Sequence, residues 1–346
     1  MPGANTLDVY VVDVEGGKSM LVVTPSGQAV LVDAGWAGLN NEKWVVTQPD
    51  DRDTDRIVEV VKLAKLKQID YFVVTHYDGD HVGNVPRVVA KLPVPVLNFV
   101  DHGEPLTQNK AALNEYQAYL DTINKAKAKR ISVQPGDRIP MKELGIVVVT
   151  SAGKVVGSPL PGAGAANPLC AGLTPGKPGR GENPASVGLL YTFGNFRMID
   201  FADATKDLEY DLMCPNNPVG TVDLLMVSHH GFDASNSPQL IHALHPRVAI
   251  MNNGAKKFAT PPAFQVIKSS PGLDDLWQMH YALDAGVEDN APENLIANPG
   301  KEPDPKCFGG VLGDQGKWIK VSAQSDGTFT VVNSRNNHSK TYKSRK

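Results

Sequence analysis

A mixed α/β fold is the class this sequence predicts, on three observations. Apolar runs of strand length recur along the chain, as at residues 71–74, 223–227 and 248–251. Segments of helical spacing lie between them, as at Ile57, Val60, Val61 and Ala64. Asp, His and Gly gather directly after several of the apolar runs, where a strand would give way to a loop.

Taken in order, residues 7–14 alternate as a strand until Glu15, Gly16 and Gly17 break it. Residues 19–23 and 29–32 read as a hairpin around the turn Pro25, Ser26 and Gly27. A polar loop over 36–52 carries Trp36 and Trp44, and residues 53–66 then read as a helix. The buried strand 71–74 leads into the stretch that organises the chain, Thr75-His76-Tyr77-Asp78-Gly79-Asp80-His81-Val82-Gly83. Four metal-binding side chains fall within six residues there, and a strand-end loop lets them converge without a helix. Imidazole suits zinc, iron or nickel, whereas carboxylate favours harder ions such as manganese, so the mixed set leaves the metal open.

Downstream, residues 85–91 read as a short helix, 95–99 as a strand, 108–129 as a long helix, and 131–133 and 145–149 as strands. His102 lies in the turn between the second and third of these. Residues 152–184 are crowded with Gly and Pro and show no periodicity, which reads as a lid-like insertion. Paired strands follow around Gly194 and Asn195, and the second ends in Asp200, Ala202 and Asp203. The strand 223–227 ends in Ser228-His229-His230-Gly231, and Ser237 is placed to cap the next helix. Strand 248–251 leads to Lys256 and Lys257, of which either is placed to meet a substrate anion. A second irregular stretch spans 284–316, and a terminal hairpin turns at Ser325, Asp326 and Gly327. The expected organisation is one domain over 5–335 with two irregular insertions, followed by a basic tail over 336–346.

With 346 residues, 41% hydrophobic and 21% charged, the chain has an ordinary globular composition able to bury a core. A net charge of −3 without a basic stripe argues against a general electrostatic nucleic-acid binder. Cys170, Cys214 and Cys307 match no metal-site spacing; Cys170 and Cys307, both in Pro/Gly-rich loops, are the candidate pair if the protein is exported. No stretch approaches the length of a membrane-spanning helix. The compartment stays open: periplasmic or secreted if a leader has been removed, cytoplasmic otherwise. The sequence sets no oligomeric state.

His76-x-Asp78-x-Asp80-His81 resembles the HxHxDH signature of the metallo-β-lactamase superfamily, with Asp78 at the second His position. That variant, followed by Gly83, is similar to the hydrolase domain of ComEC-type competence proteins and to phosphorylcholine esterases. The resemblance runs over roughly residues 6–255 and implies an αβ/βα four-layer sandwich. It makes Asp33 the residue that orients the ligand loop and Asp203 a carboxylate bridging two ions roughly 3.5–4 Å apart. Asp200 competes for that role. One of His229 and His230 supplies the last ligand, and the other serves as an acid or hydrogen-bond donor. The implied metal set is therefore His76, Asp78, Asp80, His81, Asp203 and one of that pair. The implied cofactor is two divalent ions, zinc first, with manganese and iron as alternatives.

Three departures from the family pattern stand out. The first turn matches only in part, Asn183 stands where esterase relatives carry a His, and residues 259–262 lack the family's His-Pro. Asn183, Trp36 and Lys256 are the expected substrate contacts, and Asp80 with the His pair the catalytic ones. The implied chemistry is hydrolysis by a metal-activated hydroxide, directed at a small phosphodiester; nucleic acid is a substrate the charge does not favour. The alternatives are a lactonase or β-lactamase acting on a carbonyl, and a non-catalytic binding module.

Overall fold

The computed structural model describes residues 5–345. Two mixed sheets pack face to face, and helices cover both outer surfaces. The first sheet has nine strands and runs from Ser339–Lys343 through the Thr328–Asn333 and Ile319–Ala323 strands to Leu7–Val11. It continues through Met20–Val23, Ala29–Val32 and Ile69–Val73 to Val96–Asp101 and Lys129–Ser132. The second is built on Gly145–Ser151, Gly188–Phe193, Phe196–Asp200, Leu224–Met226, Val248–Met251, Asp275–His280 and Ile296–Asn298.

The alternation of side chains along the strands sorts the core into layers. Val9, Val11 and Val22 join Val148, Leu189 and Trp277 in a cluster between the sheets. Tyr10, Leu21 and Leu31 point the other way, against α1 (Arg52–Leu63), α2 (Val85–Lys91) and α3 (Lys110–Ala126). On the far side, Leu190, Ile199 and Leu225 pack on α4 (Lys206–Met213), α5 (Pro238–Leu244) and α6 (Pro261–Lys268). Four layers result, helix–sheet–sheet–helix. Each helix earns its place through an apolar stripe: in α1 it is Ile57, Val58, Val60 and Val61, with Asp53 and Asp55 favourably placed at the positive end.

Part of each sheet is parallel. Strands Ala29–Val32, Ile69–Val73 and Val96–Asp101 run together in the first, and Phe196–Asp200, Leu224–Met226 and Val248–Met251 in the second. Their carboxyl ends carry the loops, the usual place for a site in α/β sheets. A backbone hydrogen bond ties the two sheets together there, as Val187 N–H donates to the Thr75 carbonyl at 3.0 Å.

Several sequence expectations need correction. The basic run near the C-terminus is not a free tail: Ser339–Lys343 pairs antiparallel with Thr328–Asn333, and buried Tyr342 packs on Phe329. Terminal position says little about burial when a side chain such as Tyr342 has an apolar face to cover; Lys346 lies outside the described residues. Cys170 bonds Cys214 rather than Cys307, across 5.6 Å between their α-carbons, while Cys307 is buried and free. The 152–184 stretch contains two short strands, Lys154–Val155 and Ala165–Ala166, and the second irregular stretch contains the Ile296–Asn298 strand. Ser237 stands at the N-cap of α5, but its hydroxyl makes no capping hydrogen bond.

Candidate metal centre

Five strand-end loops converge at the parallel edge. The loop 75–83 is held by Asp33, a fully buried carboxylate in the left-handed region at φ 56°. It accepts the Thr75 N–H at 2.8 Å, the Thr75 hydroxyl at 2.7 Å and His81 Nδ1 at 2.8 Å. With Nδ1 so engaged, His81 turns Nε2 into the site. Burial alone would lower the His81 pKa, but Asp203, Asp80 and Asp33 outweigh it and raise it to about 10. The glycine turn at 15–17 packs under this loop, and a Cβ at Gly17 would lie 2.7 Å from the Asp80 carbonyl. Lys18 N–H donates to that same carbonyl at 3.0 Å.

From the second sheet comes Asp203, after Ala202 at φ 49°. That is the left-handed region, which Gly adopts without strain and Ala does not. Asp200, the rival for the bridging role, is turned away, with its carboxylate on the Lys18 ammonium and the Ala202 N–H. His229 and His230 are consecutive left-handed residues, at φ 50° and 52°. Each such residue costs of order 1–3 kcal/mol and persists only where the surroundings over-determine it. Here the His229 N–H donates to the Ala202 carbonyl at 2.8 Å, locking the two strand ends together.

The twist separates the two imidazoles. His230 lies with Nδ1 3.1 Å from the Asn252 carbonyl, to which it donates, and Nε2 faces Asp80 at 3.2 Å and Asp203 at 3.4 Å. His229 lies with Nδ1 3.1 Å from Ser235 Oγ, whose hydroxyl donates to the Ala204 carbonyl. Its Nε2 faces Asn183 Nδ2 at 3.3 Å and Asp203 at 3.6 Å. Burial pushes the His229 pKa down to about 4 despite Asp203, so it is a neutral acceptor.

Asp80, His81, Asp203 and His230 each offer one ligand atom, all within 4.8 Å of one another and all buried. Burial would raise both carboxylates, but Lys257 and His81 beside Asp80, and His230 and His81 beside Asp203, hold them well below the usual range. Two buried atoms of these loops have no hydrogen-bond partner, His76 Nε2 and Asp203 Oδ1. Asp78 lies beside His76, with Oδ2 3.6 Å from His76 Nε2 and the side chain 40% exposed. An unpartnered buried donor or acceptor is costly. The donor set of imidazoles and carboxylates with outer-sphere bonds to Asp33 and Asn252 fits divalent ions.

A second trio, Asp13, His280 and Asp314, is equally close-set, but Arg56 already fills it, 3.1 Å from Asp13 and 2.6 Å from Asp314. His102 joins neither group. Its Nε2 lies 3.1 Å from Glu182, whose other oxygen accepts the Thr107 N–H, so it fastens the 152–184 stretch.

Asp78, Asp80, Asn183, Asp203 and His229 line a pocket of about 520 Å³, closed on one side by Trp36, Trp44 and Phe258. Lys256 is outside it, with Nζ 5.2 Å from the ring centre of Phe308; Lys257 lines it instead. No sequence signal separates these neighbouring lysines, since the left-handed turn after them decides which faces inward.

The sequence profile of the metallo-β-lactamase superfamily matches residues 12–166, which include the Asp33 turn and the whole ligand loop. Over those residues, just under half its length, the chain carries a metallo-β-lactamase superfamily domain. Its four-layer αβ/βα sandwich is that family's fold. Among curated proteins, ComE operon protein 3 of Bacillus subtilis (strain 168) is 26% identical over 257 residues. The alignment takes in 71% of this chain but 28% of that protein, so the chain spans well under a third of its relative. Among solved structures, the metallo-β-lactamase fold protein YhfI from Bacillus subtilis is 13% identical, with a TM-score of 0.42 over 72% of this chain and 86% of that one. Igni18, a metallo hydrolase from Ignicoccus hospitalis, is 12% identical, with a TM-score of 0.40 over 78% of this chain and 95% of that one.

Proposed function

We propose that the protein is a metal-dependent hydrolase of small phosphodiesters. The observation that carries this reading is the buried cluster of Asp80, His81, Asp203 and His230 beside the unpartnered His76 Nε2, at the floor of an open pocket. Asp80, His81, Asp203 and His230 would hold one divalent ion, and His76 and Asp78 are the residues that would hold a second. Such ions supply Lewis acidity and a hydroxide nucleophile at neutral pH.

The chain's own residues do the rest. Asp33 and the Asn252 carbonyl keep His81 and His230 in the tautomer that leaves Nε2 free. Asn183, bonded to His229, stands where it can orient a substrate oxygen. His229 Nε2 lies on the pocket side, ready to receive or return a proton at the leaving oxygen. Trp36, Trp44 and Phe258 exclude water from one wall. The modest pocket volume of about 520 Å³ and the net charge of −3 favour a small diester over long nucleic acid.

The test is hydrolysis of bis(p-nitrophenyl) phosphate by chelated protein refilled separately with zinc and with manganese. A phosphomonoester, a lactone and a β-lactam run alongside. Metal-dependent turnover of the diester, lost in Asp80→Ala, is expected. Turnover of lactone or lactam alone would move the assignment to carbonyl chemistry, and silence from protein that holds its metal would end the hydrolase reading.

A further inference from the structure

Lys257 is a buried lysine that lines an open pocket: the residue is 2% exposed. Its ammonium rests on the Asp80 carboxylate and lies 4.8 Å, 5.7 Å and 5.1 Å from the ring centres of Trp36, Trp44 and Phe258. A lysine with nothing to do there would extend its stem toward water, because an ammonium is expensive to desolvate. The backbone prevents that. Phe258 and Ala259 are left-handed at φ 59° and 53°, and the Ala259 and Thr260 N–H groups donate to the His230 and Gly231 carbonyls at 3.1 and 2.9 Å. The lysine stem packs on Gly16, where a Cβ would come within 2.8 Å of the Lys257 Cβ. Three independent features therefore aim this ammonium at the cluster: a loop zipped to the His230 turn, a glycine that makes room, and a set of aromatic faces.

We infer that Lys257 contacts a negatively charged non-bridging oxygen of the substrate and so selects anionic scissile groups over neutral ones. This rests on the metallo-hydrolase reading and sharpens it. Among the described residues Asp80 is the one carboxylate within ion-pair distance of Lys257. Asp80 is also in the four-residue cluster, and a divalent ion bound there would draw on the same charge. The ammonium then needs a second anion. Asp78 and Asp203, also in the pocket wall, belong to the same metal set, and Glu115, the remaining carboxylate of that wall, lies outside ion-pair distance of Lys257. A phosphodiester brings the missing charge on two equivalent oxygens, and a lactone carbonyl brings none. The aromatic faces hold the cation without neutralising it, which keeps it available for that charge.

The experiment compares wild type, Lys257→Met and Lys257→Arg, each folded by circular dichroism and loaded with zinc. Metal content, affinity for inorganic phosphate by calorimetry, and kcat and KM for the diester and a neutral lactone are measured on all three. A charge-assisted hydrogen bond corresponds to about 10- to 100-fold in affinity. The Met variant is expected to lose phosphate affinity and diester kcat/KM by that factor, with zinc content and lactone turnover unchanged, and Arg is expected to restore much of the loss. Unchanged phosphate affinity in a Met variant that keeps its zinc would overturn the inference. Loss of zinc from both variants would also overturn it, by making Lys257 a structural partner of Asp80. Lys257-dependent phosphate binding without turnover of any ester would leave the contact standing and remove the hydrolase reading.

Discussion

Replacing Asp33 tests whether one buried carboxylate organises the ligand loop. Its two oxygens receive the Thr75 N–H, the Thr75 hydroxyl and His81 Nδ1 at 2.7–2.8 Å, with no exposure to solvent. Hydrogen bonds to a charged group contribute about 1.5–3 kcal/mol each, but three that share one carboxylate are not additive. Asp33→Ala strands three buried donors, so a loss of about 3–5 kcal/mol in urea unfolding of the metal-free protein is expected. Asp33→Asn is the sharper perturbation. It keeps the shape, but its amide must turn a donor toward either Thr75 or His81. The His81 ring is then free to rotate or change tautomer, and loss of such an outer-sphere partner weakens a metal site by about 10–100-fold. Chelator competition for zinc measures this directly. A folded Asp33→Asn protein with wild-type zinc affinity would refute the view that Asp33 acts through His81.

Two further predictions concern groups outside the pocket. Burial lowers the His280 pKa, but Asp13 at 2.7 Å more than offsets this and raises it to about 9. A folded-state pKa above the unfolded value means stability that is full below about pH 6.5 and is lost as pH rises through about 9. The His280 share of the decline in urea unfolding across that window should be on the order of 3 kcal/mol at most, and His280→Gln should reduce the decline by that share while His81, raised to about 10, keeps its own; an unchanged decline in His280→Gln would count against the ion pair. The Cys170–Cys214 bond closes a separation of 44 residues and pins the 152–184 stretch to the end of α4. Loop entropy for that span is about 4 kcal/mol. Double replacement by Ser should lower the unfolding free energy toward that extent and quicken proteolysis within 160–180, and unchanged stability and cleavage would show the stretch is held by its other contacts.

The part of this protein that its sequence determines is the part whose physics is local. The apolar runs and the helical spacing of Ile57, Val60 and Val61 depend only on near neighbours, and the layered α/β fold follows from them. His76, Asp78, Asp80 and His81 are legible because one strand-end loop carries them all. Tertiary structure decided whatever depends on residues far apart in the chain. Asp203 rather than Asp200 enters the cluster because Lys18, 182 positions earlier, holds the Asp200 carboxylate. His230 rather than His229 joins it because two left-handed residues in succession turn adjacent imidazoles apart, toward Asn252 and Ser235. Lys257 rather than Lys256 faces the pocket because of the same kind of backbone turn, and Cys170 finds Cys214 only because the irregular stretch folds back over α4. Pairwise choices between near-identical candidates carry no composition or periodicity signal. They are set by the direction of a backbone and the charge across from it, and both exist only once the two sheets have packed.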